Sequence, residues 1–262
     1  MMAAETTASG RLAVSVATTL AEREACYGLR HRVFVEEMGA QADGGRVGLE
    51  CDRFDPHCHH LLVRDQTGGE VVACTRILTD TQARLTGGFY SAQEFDLARI
   101  ERLPGRVMEI GRTCVAPAWR SGATIAVLWA GLAEFMATNR VGFLIGCASI
   151  PVADGGRAAR AIAAGLRRRH LAPEDRRVIP RRPLPAGGAA ETLDGVRLPP
   201  LLKAYMRLGA KIGGEACLDE AFGCADLFVV LERRDLQGRY QRHFLDRRRP
   251  EAPAARPQVV AA

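Results

Sequence analysis

A buried strand, a short turn of small residues and a long apolar helix follow one another between residues 106 and 139, and no other stretch limits the possible folds of this chain as strongly. Val107 to Val115 reads as the strand, Pro117 closes it, and Gly122 opens a helix that continues to about Asn139. A helix starting on Ser121, Gly122 and Ala123 leaves backbone N–H groups unpaired and turns its positive dipole end outward, so the turn is a cradle for a phosphate. The next apolar run, Gly142 to Ala148, reads as a second buried strand. Strand, helix and strand in succession imply a right-handed crossover between neighbouring parallel strands, and hence an α/β chain. Glu109 and Arg112 lie three apart on the first strand. Strand side chains alternate in direction, so this separation puts them on opposite faces unless a bulge re-aims one.

Upstream, Arg11 to Val16 alternates like a strand. Thr19 and Glu22 have the spacing of a capping box and start a helix predicted to reach about Glu36, with Arg30 and Phe34 four apart on one face. Gly39 to Gly48 is a glycine-rich polar loop, followed by the acidic pair Asp52 and Asp55 and by strands over His60 to Arg64 and Val71 to Leu78, the latter carrying Arg76. Residues 87–105, which hold Phe89, Glu94, Phe95 and Asp96, suit a lid with short helical turns. Residues 151–198 read as an insertion with a short helix at Ala158 to Arg168 and then a Pro- and Arg-rich loop. Leu201 to Leu208 is a helix ended by Gly209, and strands around Lys211 to Cys217 and Ala225 to Glu232 form a hairpin. One domain over 11–246 results, between an N-terminus (1–10) and a basic, Pro-rich tail (247–262) that are both expected to be disordered.

With 262 residues, 47% hydrophobic and 25% charged, the chain can bury a core of its own. No apolar run approaches the roughly 18–20 residues that span a bilayer, and Met1 to Gly10 lacks the basic start and apolar core of a secretion signal, so a cytoplasmic protein is expected. The eight cysteines are scattered without a close pair and read as reduced, buried thiols. Cys51, His57, Cys58, His59 and His60 form the one metal-like grouping, but His60 leads straight into apolar Leu61 to Val63 and is read as strand structure, so no metal site is expected. The net charge of +6 is uneven: 167–182 and 233–262 each carry +5, which leaves −4 for the rest. Two basic segments beside a mildly acidic body suit an acidic protein partner or an anionic membrane surface. Nucleic acid is disfavoured, because the arginines are not interleaved with aromatic residues.

The order of strands, the Arg120-Ser121-Gly122-Ala123 turn after a long strand and the Tyr205 to Lys211 stretch before a closing hairpin resemble the GNAT acyltransferases. That turn is a shortened version of the family's phosphate-binding loop. Arg30 to Phe34, Asp52 with Asp55, Arg76, and Glu109 to Arg112 resemble in order the signature of acyl-homoserine-lactone synthases, a GNAT branch. The stretches Arg32 to Glu37, Glu109 to Pro117, Gly146 to Pro151 and Pro199 to Lys211 are similar to the bacterial ornithine N-acyltransferases, and the likeness covers about residues 25–245. The resemblance implies an α/β (α+β) GNAT-like fold, a central mixed, twisted sheet of about seven strands with helices on both faces. It also implies transfer of a 3-hydroxyacyl chain from the 4′-phosphopantetheine of acyl carrier protein to the α-amino group of L-ornithine, forming lyso-ornithine lipid with no tightly bound cofactor. Two alternatives stand beside it: a lactone-type synthase, disfavoured by a missing tryptophan beyond Phe34, and a non-catalytic acyl-carrier-binding module, disfavoured because Arg76, Glu109 and Arg112 are all present.

Aminolysis of a thioester needs a neutral amine, a polarised carbonyl and a proton for the leaving thiolate. Glu109 is the candidate base, since burial raises a carboxylate's basicity; a structural ion pair with Arg112 is the competing account. By resemblance Tyr205 is the acid that protonates the sulfur. Arg112 and Arg76 are candidate clamps for the amino-acid carboxylate or for the site's own acids. Asp52 and Asp55 suit either the ornithine side-chain ammonium or their own loop. Arg30 and Phe34 are candidates for shaping the acyl pocket, and Arg120, Ser121, Gly122 and Ala123 for holding the phosphopantetheine. Such an amphiphilic product suits transient contact with the inner membrane through the basic segments. The expected result for Glu109→Gln is loss of acyl transfer with an unchanged circular dichroism spectrum; near-wild-type turnover would remove Glu109 as the base.

Overall fold

The computed structural model describes residues 6–9, 11–41, 46–187 and 196–240. Thr6–Ser9 (β1) pairs with Leu12–Val16 (β2) at one sheet edge, so part of the N-terminus expected to be disordered is a paired strand. The tail 247–262 lies outside the described residues. Thr19 caps Leu20–Arg30 (α1): its hydroxyl accepts from Glu22 N–H, and the Glu22 carboxylate accepts from Thr19 N–H. The helix does continue as its sequence predicts, but His31–Glu37 is wound as a π-helix. Such widened turns rotate the following side chains relative to an α-helical register.

His59–Asp65 (β3) and Val71–Thr79 (β4) form an antiparallel pair, followed by the single turn Asp80–Ala83 (α2). Phe95–Asp96 (β5), Arg106–Val115 (β6), Gly122–Thr138 (α3) and Val141–Pro151 (β7) come next. Then follow Arg157–His170 (α4), Ile179–Pro180 (β8), Pro200–Leu208 (α5), Lys211–Ile212 (β9), Cys217–Asp219 (β10), Cys224–Glu232 (β11) and Arg233–Tyr240 (α6). The main sheet has nine strands in the order β1-β2-β3-β4-β6-β7-β11-β10, with β9 also on β11. Among the described strands only β6 and β7, joined through α3, are parallel. A helix crossover is what allows this, because a parallel neighbour cannot be reached by a hairpin.

One face of the sheet is covered by α3, whose Val127, Leu128, Leu132 and Met136 pack with Leu61, Ile77, Ile110 and Leu144, and by α5 through Leu202 and Tyr205. The other carries α1, whose Cys26 and Leu29 pack on Leu62 and Cys74, and a second apolar cluster built on Phe95, Ile100 and Phe228. Residues 87–105 are therefore a packed cap on the sheet instead of a loose lid. The insertion is tied in as well: β8 pairs with β5, Leu171 bridges Ile212 and Pro183 bridges Cys217. No helix among the described residues is long and apolar enough to cross a membrane.

The pairing of β6 with β7 runs from Arg106↔Val141 to Ile110↔Gly146 and goes no further, although both strands continue. At the last pair the backbones crowd: a Cβ on Gly146 would lie 2.5 Å from the Ile110 carbonyl oxygen. Gly146→Ala is accordingly expected to lower stability by about 1–3 kcal/mol in urea unfolding. The same change at Gly122, where a Cβ meets nothing within 4 Å, is the control and is expected to be near neutral.

Candidate active site

The strand that carries Glu109 and Arg112 contains the bulge that simple alternation leaves out. Arg76 opposes Gly111 and Cys74 opposes Cys114, so Thr75 faces both Arg112 and Thr113. Its hydroxyl spans the irregularity, bonding the Gly111 carbonyl at 3.2 Å and the Thr113 hydroxyl at 2.7 Å. Arg112 adopts φ 51°, the left-handed region that a non-glycine residue rarely enters. Its guanidinium thereby reaches the side of the sheet that holds Glu109 and Arg76, where it lies over the rings of Tyr90 (4.8 Å) and Phe222 (4.6 Å).

Three arginines and three carboxylates interlock there. Arg30 holds Asp55 through two bonds of 2.7 and 3.0 Å and also reaches Glu50. Arg112 joins Glu50 at 3.0 Å and Asp52 at 3.2 Å, and Arg76 joins Asp52 at 2.6 Å. Burial alone would raise the Asp55 carboxyl, but the hydrogen bonds and charge of Arg30, with Arg76 beyond, hold it well below the usual carboxylate range. Several expected roles change accordingly. Arg30, 1% exposed, and Asp55, 2% exposed, bind each other and belong to the scaffold, not to an acyl pocket or an ammonium site. Arg76 clamps the site's own acids instead of lining the cavity, and its Nη2 is buried without a partner.

Beside this lattice lies a cavity of about 600 Å³, whose walls include Asp52, Tyr90, Glu94, Arg112, Asp219 and Phe222. Asp52 and Arg112 are the two expected site residues on its wall. Phe34 stands behind it, edge-on to Phe222 with ring centres 6.5 Å apart. Glu109 is also one layer back: its carboxylate accepts the backbone N–H groups of Tyr90 and Ser91. Burial raises its pKa in spite of those bonds and of the nearby Arg76. No ion pair joins Glu109 to Arg112 among the described residues. Tyr205 is on the opposite face, 1% exposed, its ring edge-on to Trp129 at 5.3 Å and its hydroxyl against Thr113. Burial pushes the phenol up, so it keeps its proton at neutral pH.

Ser121 is the N-cap of α3, accepting from Thr124 N–H, with Gly122 and Ala123 in the first turn. Arg120 beside them is engaged by Glu37 through two bonds of 2.6 Å and by the Val115 carbonyl at 3.1 Å. Glu50, Tyr90, Asp219, Phe222 and Asp226 escape sequence reasoning. They come from loops and strand ends far apart in the chain, and only Glu50 carried a usable signal, its closeness to Asp52 and Asp55.

Residues 29–130 match the family described as Acetyltransferase (GNAT) domain. Over 252 residues the chain is 36% identical to the L-ornithine N(alpha)-acyltransferase of Agrobacterium fabrum (strain C58 / ATCC 33970), covering 90% of this chain and 85% of that protein. Over 254 residues it is 35% identical to the protein of that name from Brucella abortus (strain 2308), covering 90% and 89%. The chain belongs to the L-ornithine N(alpha)-acyltransferase family. Two solved structures share its fold: the CoA-dependent acyl-homoserine lactone synthase BjaI, with a TM-score of 0.52 at 17% identity over 85% of this chain and 82% of that one, and the AHL synthase LasI, with a TM-score of 0.52 at 13% identity over 88% and 96%. In this N-acyltransferase family member the Arg30–Asp55 pair is the most deeply buried part of the site's frame. Asp55→Asn leaves Arg30 short of a counter-charge, and a loss of about 3–5 kcal/mol at pH 7 is expected in chemical unfolding. Since the folded-state pKa of Asp55 is depressed, its contribution is full above the unfolded value of about 3.9. It is lost as pH falls through the lower folded value, so wild type and variant should converge in acid.

Proposed function

We propose that this chain transfers a 3-hydroxyacyl group from acyl carrier protein to the α-amino group of L-ornithine. The single observation that carries this reading is the opening between β6 and β7 beyond Ile110 and Gly146, with a buried acid on each side of the sheet. Glu109 lies at the closed end of the opening, on the cavity side, and Tyr205 packs below it on the helix side. An extended thioester arm entering between the strands meets free backbone groups on both, because β6 is paired to β4 and β7 to β11 only along their outer edges there. The first turn of α3 follows the end of β6, and its unpaired N–H groups support it as the seat of the arm's phosphate. Arg120 joins it by exchanging Glu37 for the phosphate.

In the reaction the neutral α-amine attacks the thioester carbonyl, forming the C–N bond as the C–S bond breaks. Glu109, more basic than an exposed carboxylate but one layer behind the cavity, accepts through a bridging water the proton that the nitrogen loses. Tyr205 gives its proton to the departing sulfur and is later reprotonated from solvent. Transfer is direct: burial holds the thiol of Cys147, at this opening, in its protonated form, which disfavours an acyl-enzyme on it. The relatives' name supplies the acceptor, L-ornithine. The basic segment 167–182 supports an acidic carrier as donor, although Arg167, Arg176 and Arg182 are already paired with Glu215, Glu232 and Glu220. Arg168 and Arg169 on the last turn of α4 stand nearest to a docking role, for the carrier or for an anionic membrane.

The test is acyl transfer to L-ornithine from 3-hydroxyacyl carrier protein and from the matching acyl-coenzyme A, followed by mass spectrometry at rising salt. Acyl-ornithine is expected from the carrier substrate, with a rate that falls as salt screens the contact. Equal use of acyl-coenzyme A without a salt effect would overturn the donor assignment, and no acyl-ornithine from either donor would overturn the function.

A further inference from the structure

The cavity has an acidic side that plays no part in the proton transfers above. Glu94 and Asp219 line it, and Asp226 links them: the ligating atoms of Glu94, Cys147 and Asp226 lie within 4.8 Å of one another, as do those of Asp219, Cys224 and Asp226. These three carboxyls differ from Glu50, Asp52 and Asp55 in one respect. Among the described residues none of them is in an ion pair, whereas each of the other three is held by an arginine. Glu94 is 7% exposed and its Oε2 is buried without a hydrogen-bond partner. Asp219 has one oxygen, Oδ1, committed to the Ala221 and Phe222 N–H groups at 3.0 and 3.2 Å. An unpartnered, buried carboxyl oxygen beside two further acids calls for a cation with hydrogens to donate.

We infer that this acidic side of the cavity is the subsite for the side-chain ammonium of a diamino-acid acceptor. The inference rests on the acyltransferase reading and deepens it. An ammonium carries three N–H donors and a full charge, which matches a row of three carboxyls better than any neutral group does. Arg112, on the wall of the same cavity and fixed between two aromatic rings, meets the acceptor's carboxylate, so both ends of a diamino acid find an opposite charge. Burial and the neighbouring Asp226 push the Glu94 carboxyl up to about 10, and burial also raises Asp226. A cation placed among them reverses that destabilisation, so part of its binding energy comes from relieving the site. A metal ion fits less well, because the flanking Cys147 and Cys224 thiols are both pushed towards their protonated form. An acceptor of equal length without the ammonium leaves these acids unpaired, the arrangement from which enzymes draw strong discrimination.

The experiment compares L-ornithine with L-norvaline, which has the same carbon chain and no side-chain amine, as acceptors for the full chain with both acyl donors and with chelator present. Wild type is expected to favour ornithine by about 10²-fold or more in kcat/KM. Glu94→Gln and Asp219→Asn are expected to cut that ratio at least tenfold, chiefly through the KM for ornithine. Removing one of two crowded buried acids also predicts a higher Tm for Glu94→Gln at neutral pH, which separates a lost subsite from a lost fold. Equal use of ornithine and norvaline by wild type, an unchanged ratio in both folded variants, or an ornithine preference that chelator abolishes would overturn the subsite while leaving the acyltransferase reading intact. Acylation of neither acceptor would instead overturn that reading, and the subsite with it.

Discussion

One extra residue in β6 governs how the site is assembled. With ordinary alternation Arg112 would share the face of Met108 and Ile110, which pack under α3. A guanidinium among those side chains would be a buried, unpaired charge. The bulge opposite Thr75, with Arg112 at φ 51°, turns it to the face of Glu109, where two carboxylates and two aromatic rings receive it. Left-handed backbone at a non-glycine residue costs on the order of 1–3 kcal/mol, and it persists where the surroundings over-determine it. Here they do: the Thr75 hydroxyl pins both sides of the bulge while Glu50 and Asp52 fix the far end of the side chain.

The lattice that Arg112 completes is balanced in charge, with Arg30, Arg76 and Arg112 against Glu50, Asp52 and Asp55. Buried ion pairs of this kind add little net stability over an apolar replacement, but removing one partner strands the other. Their consequence is geometric. The 50–55 loop, α1, β4 and β6 are held in one register, and Phe54 and Tyr90 close around the guanidinium of Arg76. Glu109 extends the same order into the cap by taking the N–H groups of Tyr90 and Ser91. In contrast to this frame, Glu94, Asp219 and Asp226 stand close together without an arginine partner among the described residues.

The site is thus two-sided. The charged groups Arg30, Arg76, Arg112, Glu50, Asp52 and Asp55 gather on the α1 face, the apolar face under α3 and α5 holds Tyr205, and the pairing of β6 with β7 between them ends at Ile110 and Gly146. Gly146 sets that point, since its backbone already touches Ile110 and allows no side chain between the strands.

Much of this was legible in the residues. The strand–turn–helix–strand order, the Thr19–Glu22 capping box, the stop at Gly209 and the closing hairpin, whose first arm is split into β9 and β10, follow from local chemistry: apolar periodicity, orphan N–H groups and positive φ are properties of short segments. The residue types of the site were visible too, because a glutamate and arginines inside apolar strands need a reason to be there. Their assignments were not. Whether Asp55 meets a substrate or Arg30, whether Glu109 faces the cavity or the backbone of Tyr90, and which acids are left without a counter-charge depend on contacts between segments tens of residues apart. So does the π-helical winding after α1. Sequence spacing fixes which side chains are near along the chain, while charge compensation is decided by which ones the sheet register and one bulge bring within 3 Å of each other, as Arg112 and Glu50 are.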